Sequence, residues 1–317
     1  MPEKNKITNS QVVCDVLVKA GQENPDILVL TSDSRGSAKL TPFVKSLPEQ
    51  IIEVGIAEQD LVSISAGLAH MGKHPFAASP ACFLSMRSIE QVKVDVAYSH
   101  TNVKLIGISG GISYGALGMS HHSAQDFAVT RAIPNLQVLC PADRFETRKM
   151  FEALIKSDEP AYIRLGRSAV QDCYTDDNFN FEIGKAHTMI EGTDLTFIAI
   201  GDTVRQAMDA SLLLKAKGIS AEVLNVSSLN PFDDIAVRAS AKKTGLVITV
   251  EEHSIHNGLG AAVAESLAAE TGIIQKIIGL PDEYPIAGES PEVFKYYGLD
   301  SESLAKSGEK LIDKYGE

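Results

Sequence analysis

The sequence predicts an α/β protein made of two doubly wound domains in succession, and three observations carry that reading. Short β-branched runs alternate with amphipathic stretches along the chain, the pattern of parallel strands joined by crossover helices. The alternation lapses once, in a polar and aromatic segment after AYIRLG, and resumes at DLTFIAIG. At 317 residues the chain is also longer than one ordinary domain, for which about 150 residues is usual.

Residues 10–21 read as an amphipathic helix capped by Asn9 or Ser10, since a short polar side chain can accept from the free N–H groups of a first turn. ILVLTSD (27–33) and QIIEVG (50–55) follow as buried strands, with a helix over 58–71 and another over 82–99. VKLIGIS (103–109), LQVLCPA (136–142) and AYIRLG (161–166) are the next strands, and Asp143 is placed to cap a helix over 143–157. Runs this apolar suit parallel strands covered on both faces. The first domain is therefore assigned to 1–170, a linker to 171–193 and the second domain to 194–317. In the second, strands are expected near 195–200, 221–226, 246–251 and 275–280, with helices near 203–217, 258–271 and 301–314.

Composition excludes several classes of function. The hydrophobic fraction of 44% with 22% charged residues is that of a compact globular protein. A net charge of −12, without basic runs interleaved with aromatics, argues against a nucleic-acid partner. Cys14, Cys82, Cys140 and Cys173 lie dozens of residues apart, which gives neither a paired metal-ligand spacing nor a disulfide framework and fits a reducing cytoplasm. The start MPEKNKITNS has no apolar signal core, and no apolar stretch approaches the roughly 18 residues of a membrane span.

The run VGIAEQD (54–60) sets Glu58 between an apolar strand and a helix. An acid there is stabilised by the helix macrodipole, which is a structural role; strand ends of open α/β sheets are also where ligands bind. The surrounding residues favour the second role. VGIAEQD, IEQVKVDVAY (89–98) and SYGALGMSHHSAQDFAVTRAIPNLQVLCPAD (113–143) resemble, in order and spacing, the pyrimidine-binding domain of transketolase-like, thiamine-diphosphate-dependent enzymes. VITVEEHSIHNGLGAAVAESLA (247–268) and SPEVFKYYGL (290–299) extend the likeness to the carboxy-terminal domain of that family.

The resemblance implies that Glu58 bonds the aminopyrimidine nitrogen of thiamine diphosphate, a role that demands an acid. It implies that Phe83 lies against the pyrimidine and Asp33 near the cofactor, with Met86 and Ile89 where transketolases carry aromatics. His121, in GMSHH, matches a substrate-facing histidine, His122 less so, and Ser109 stands where a second histidine is usual. Arg167 corresponds to an arginine that holds a substrate phosphate, with Arg164 as its rival; a planar guanidinium fork suits that task. The structural alternatives are a core phenylalanine, a turn aspartate, a satisfied histidine and a surface ion pair.

The chain has no Gly-Asp-Gly metal-diphosphate motif; GDT (201–203) and HNGLG (256–260) read as helix entrances, the latter a weak phosphate-loop candidate, and His253 as a structural residue with a substrate or subunit interface as its lesser reading. The resemblance therefore implies the carboxy-terminal half of a split transketolase, moving a two-carbon ketol unit from a ketose to an aldose. A partner subunit would bring the diphosphate-binding domain and Mg2+, in an α2β2 heterotetramer acting on sugars or sugar phosphates. The β subunit of a 2-oxoacid dehydrogenase first component and a non-catalytic scaffold are the alternatives, with deoxyxylulose-phosphate synthase, which shares the VGIAEQ run but carries both cofactor-binding domains on one chain, behind them.

Overall fold

A computed structural model describes residues 5–316. The first half runs α1 (Asn9–Glu23), β1 (Ile27–Thr31), α2 (Thr41–Ser46), β2 (Ile51–Glu53), α3 (Glu58–His70), β3 (His74–Pro80) and α4 (Ala81–Met86). It continues through α5 (Ile89–Gln91, extended as a π-helix over Val92–Tyr98), β4 (Lys104–Ile108), α6 (Asp126–Arg131), β5 (Gln137–Leu139), α7 (Arg144–Leu154) and β6 (Ala161–Arg164). The cap of α1 is Thr8, one residue ahead of the expected pair, in a reciprocal box: Gln11 N–H donates to the Thr8 hydroxyl and Thr8 N–H to the Gln11 side chain. The expected helix over 82–99 is broken between α4 and α5. Ser85 and Ser88 donate back to the carbonyls of Ala81 and Leu84, a contact that bends helices.

The second half runs β7 (His187–Ile190), β8 (Leu195–Ala199), α8 (Thr203–Lys215), β9 (Ala221–Asn225), β10 (Ser228–Asn230), α9 (Asp234–Thr244) and β11 (Leu246–Ser254). It ends with α10 (Leu259–Leu267), β12 (Ile274–Leu280), α11 (Ser290–Tyr296) and α12 (Ser301–Tyr315). Two sheets result, ordered β10-β5-β6-β4-β3-β1-β2 and β12-β11-β8-β9-β7. All pairings are parallel except β10 with β5 and β7 with β9, one antiparallel pair at an edge of each sheet. β7 lies inside the span read as linker, and β10 crosses from the second half of the chain into the first sheet.

β1 pairs with β2 on one side and with β3 on the other. The chain thus steps outward from β1 to β2 and then returns across it to β3, which opens a crevice at their carboxy ends, where ligands of open α/β sheets bind. Apolar side chains of α3, α5 and β4 continue without a gap into those of β8, β9, β11 and α10, so a single core joins the two sheets. Among the described residues no helix is long and apolar enough to cross a membrane.

Candidate functional site at the β1/β3 crevice

Glu58 is the first residue of α3 and is 1% exposed. A tight turn, with Gly55 at φ 73° and Ala57 N–H donating to the Gly55 carbonyl at 2.8 Å, brings the chain off β2 and points the helix entrance back over the sheet. Oε1 of Glu58 lies 3.4 Å from the hydroxyls of Ser32, just after β1, and Ser79, in β3. Those two hydroxyls are 2.7 Å apart. The carboxylate therefore sits at the point where the strand order reverses.

Its strong contact is Arg87, the residue after α4, whose Nη1 donates to Oε2 at 2.6 Å. The same guanidinium lies over the Phe83 ring, 4.4 Å from the centroid. Phe83 in turn meets His121 edge to face at 5.3 Å, and His121 meets Tyr114 at 5.4 Å. Arg167 stands over the other side of that run, 4.8 Å from the Tyr114 centroid. Four of the residues expected to act, Glu58, Phe83, His121 and Arg167, are thus brought into one contiguous line along the carboxy edge of the first sheet.

The remaining candidates divide. Asp33 is at the same edge, at φ 52° and exposed, with its backbone N–H donating to Glu53 at 2.6 Å; its neighbour Ser32 is the residue that reaches Glu58. Arg164 is 3% exposed and lies between Asp126 at 3.5 Å and Glu252 at 3.4 Å, inside the contact between domains. His122 is buried with Nε2 against the Gly115 carbonyl at 3.1 Å. His253 is fully buried, accepting from Ala128 N–H and facing the Ser254 carbonyl, and burial pushes it down to about 4, so it is neutral. HNGLG is a helix entrance, with Glu251 accepting from Leu259 and Gly260 N–H at 2.7 and 2.8 Å. Sequence reasoning missed Ser32, Ser79, Arg87 and Tyr114; Arg87 lies inside FLSMRS, the run that supplied Phe83.

The donor set fits an aminopyrimidine. Such a ring needs a carboxylate at its edge and a flat apolar face below it. The Arg87 guanidinium, itself planar, cationic and rich in N–H donors, already satisfies both groups at once, against Glu58 and over Phe83. Glu58, with the hydroxyls of Ser32 and Ser79 behind it, is the residue that would hold the ring edge.

Fold and site together define a two-domain α/β protein whose ligand crevice carries a buried acid and a line of aromatic and basic groups. Residues 5–172 match the transketolase pyrimidine-binding domain and 184–304 the transketolase C-terminal domain. The chain belongs to the transketolase family. It is 49% identical to a subunit of the apulose-4-phosphate transketolase of Phocaeicola vulgatus, over 97% of this chain and 100% of that protein. It is 36% identical to the 6-deoxy-6-sulfo-D-fructose transketolase subunit SqwH of Clostridium sp., over 95% of this chain and 93% of that one. A solved structure described as a split-gene transketolase in an inactive β4 tetramer matches with a TM-score of 0.88 at 37% identity, over 98% of this chain and 99% of the other.

Proposed function

We propose that this chain is the carboxy-terminal subunit of a split transketolase, which moves a two-carbon ketol unit from a ketose to an aldose when a second subunit completes the site. The observation that carries the proposal is the buried Glu58 carboxylate at the strand reversal, joined through Arg87 to the Phe83 ring. Relatives of matching length named as transketolase subunits support it.

In this reading Glu58 shares a hydrogen bond, and at need a proton, with the ring nitrogen of the aminopyrimidine, and Phe83 offers its face to that ring. Thiamine diphosphate, when bound, supplies the carbon nucleophile. Asp33, at the same strand end, completes the cofactor's surroundings. The second subunit brings Mg2+ and the diphosphate cradle, since this sequence has no Gly-Asp-Gly motif, and the pair assembles as an α2β2 heterotetramer in the cytoplasm. His121, half-buried between Phe83 and Tyr114, donates to substrate hydroxyls or moves a proton there. Arg167, exposed on the Tyr114 ring, holds an anionic end. The names of both relatives carry a phosphate or a sulfonate, so the substrate class is a ketose with a terminal oxyanion.

The test is reconstitution with the subunit that carries the Gly-Asp-Gly motif, thiamine diphosphate and Mg2+. Ketose-to-aldose transfer is expected, acyl transfer to a lipoyl domain is not, and Glu58→Gln abolishes turnover. Near-normal turnover by Glu58→Gln in the assembled enzyme overturns the role of that residue.

A further inference from the structure

The segment between β4 and α6 carries Tyr114 and His121, yet much of what holds it belongs to the second domain. Its ends close on each other through two hydrogen bonds between Gly111 and Ser123, at 3.2 and 2.7 Å. Three ties to the second domain hold the loop so formed and the residue after it. Ile112 N–H donates to Oε1 of Glu252, in β11, at 2.7 Å. Ser290, the first residue of α11, donates from its hydroxyl to the Ser113 carbonyl at 3.2 Å. Ser254 N–H donates to the Ala124 carbonyl at 2.8 Å. Glu252 is itself braced by Arg164, from the first sheet, which donates to its carbonyl at 2.6 Å and lies 3.4 Å from its carboxylate. Gly115 has φ 54°, and a Cβ there would stand 2.7 Å from the Gly288 carbonyl of the second domain, so loop and domain are in backbone contact.

We propose that Glu252 and Ser290 are positioning residues for the sugar: the second domain sets where Tyr114 and His121 stand relative to Phe83. The inference rests on the reading of His121 as substrate-facing. The physical reason is leverage. Ile112 and Ser113 directly precede Tyr114, both are buried, and the side chains that bond their backbone stand on β11 and at the start of α11, in the second domain. A loop freed from those partners lets His121 drift, and displacement of a binding group by about 1 Å is enough to weaken a bound geometry strongly. Glu58, Ser32, Ser79 and Arg87 lie on other segments, and Phe83, which touches His121, is held by α4, so the pyrimidine end keeps its place.

The test uses the reconstituted enzyme and compares Ser290→Ala, Gly115→Ala, Glu252→Ala and Glu252→Gln, with His121→Ala as reference. Ser290→Ala is expected to raise the KM for the donor ketose by about three- to tenfold with kcat within about twofold, and Gly115→Ala and Glu252→Ala by more. Half-saturation by thiamine diphosphate stays at the wild-type value, and amide exchange over 110–123 accelerates in the free subunit. Glu252→Gln, which keeps an acceptor for Ile112, recovers most of the loss seen with Glu252→Ala. Should Glu252→Ala not fold, the Ser290 and Gly115 variants decide. An unmoved KM in both while His121→Ala raises it overturns the proposal, as does a thiamine diphosphate half-saturation that shifts in step with KM. If His121→Ala itself leaves KM unmoved, the substrate reading of the site fails and the positioning role falls with it, whereas unchanged amide exchange disproves the tethering alone.

Discussion

Arg87 pairs with a carboxylate that is 1% exposed while its own side chain is 45% exposed, so the charge of Glu58 is balanced from the solvent side of the crevice. Removing one member of such a pair leaves the other in low dielectric with only two hydroxyls at 3.4 Å. Arg87→Ala is therefore expected to lower the unfolding free energy of the isolated subunit by about 1–3 kcal/mol, below the full value for a completely buried pair because the guanidinium is wet. Urea denaturation of the two proteins measures it, and coincident midpoints would refute the claim. Glu58, Phe83, His121 and Arg167, which the fold brings into one line of contacts, could be singled out from the sequence because each falls in a motif with its own local context. Ser32 and Ser79 were not, because they meet only through the folding of β1 against β3 and a serine after an apolar run looks like any turn residue, while Arg87 and Tyr114 lie beside Phe83 and His121 in the chain and show their part only through the contacts that link Glu58 to Arg167.

Asp143 shows how much one cap contributes to the join between elements. Its Oδ1 accepts from Phe145 and Glu146 N–H at 2.9 and 3.0 Å, closing the first turn of α7, and its Oδ2 accepts from Cys173 and Tyr174 N–H at 2.7 and 2.8 Å. The acid expected to begin a helix thus also anchors the segment that leaves the first domain. Asp143→Ala strands four backbone donors and is expected to cost about 2–4 kcal/mol, more than an ordinary cap; Asp143→Asn retains one acceptor and loses less, as thermal unfolding of the pair will tell. The elements that sequence reasoning found are those with strong periodicity or β-branched content, among them α1, α3, α7, α8, β1, β4 and β8. β3 was missed although it lies in the middle of the sheet: HPFAASP has two prolines and no β-branched residue, and its six buried positions reflect the helices around it rather than any propensity of its own. β7 and β10 were missed because antiparallel edge strands of four and three residues leave too short a pattern to read.

Across the whole molecule, several acids are buried where the two sheets meet and in the second domain. Burial pushes Glu146 and Glu251 up to about 7 against the backbone N–H groups that pull them down, and lifts Glu252 to about 8 against the pull of Arg164. The folded chain then keeps protons that the unfolded chain releases near the ordinary glutamate value of about 4.3, so stability falls as pH rises from there toward the folded values. His253 works in the opposite sense, since its lowered folded value makes stability rise between about 4 and the ordinary histidine value of about 6.5. Above pH 6.5 the acids dominate until Lys104, which burial lowers to about 8, begins to oppose them, and the melting temperature is expected to fall between pH 6.5 and 7.5, with about 1.4 kcal/mol lost per pH unit for each acid still protonated. Glu252→Gln should flatten that slope, and an equal slope in wild type and variant would count against the assignment. The division into two α/β units was legible, but their interdependence was not, because it rests on a shared core and on β10, whose three residues leave the second half to pair with β5. A coding sequence cut anywhere in 171–193 would part that strand from its sheet and leave the β5 edge open to any passing chain. The two modules are accordingly expected to be inherited as one unit, with gene fission or recombination excluded from the very stretch that composition alone would have marked as the seam.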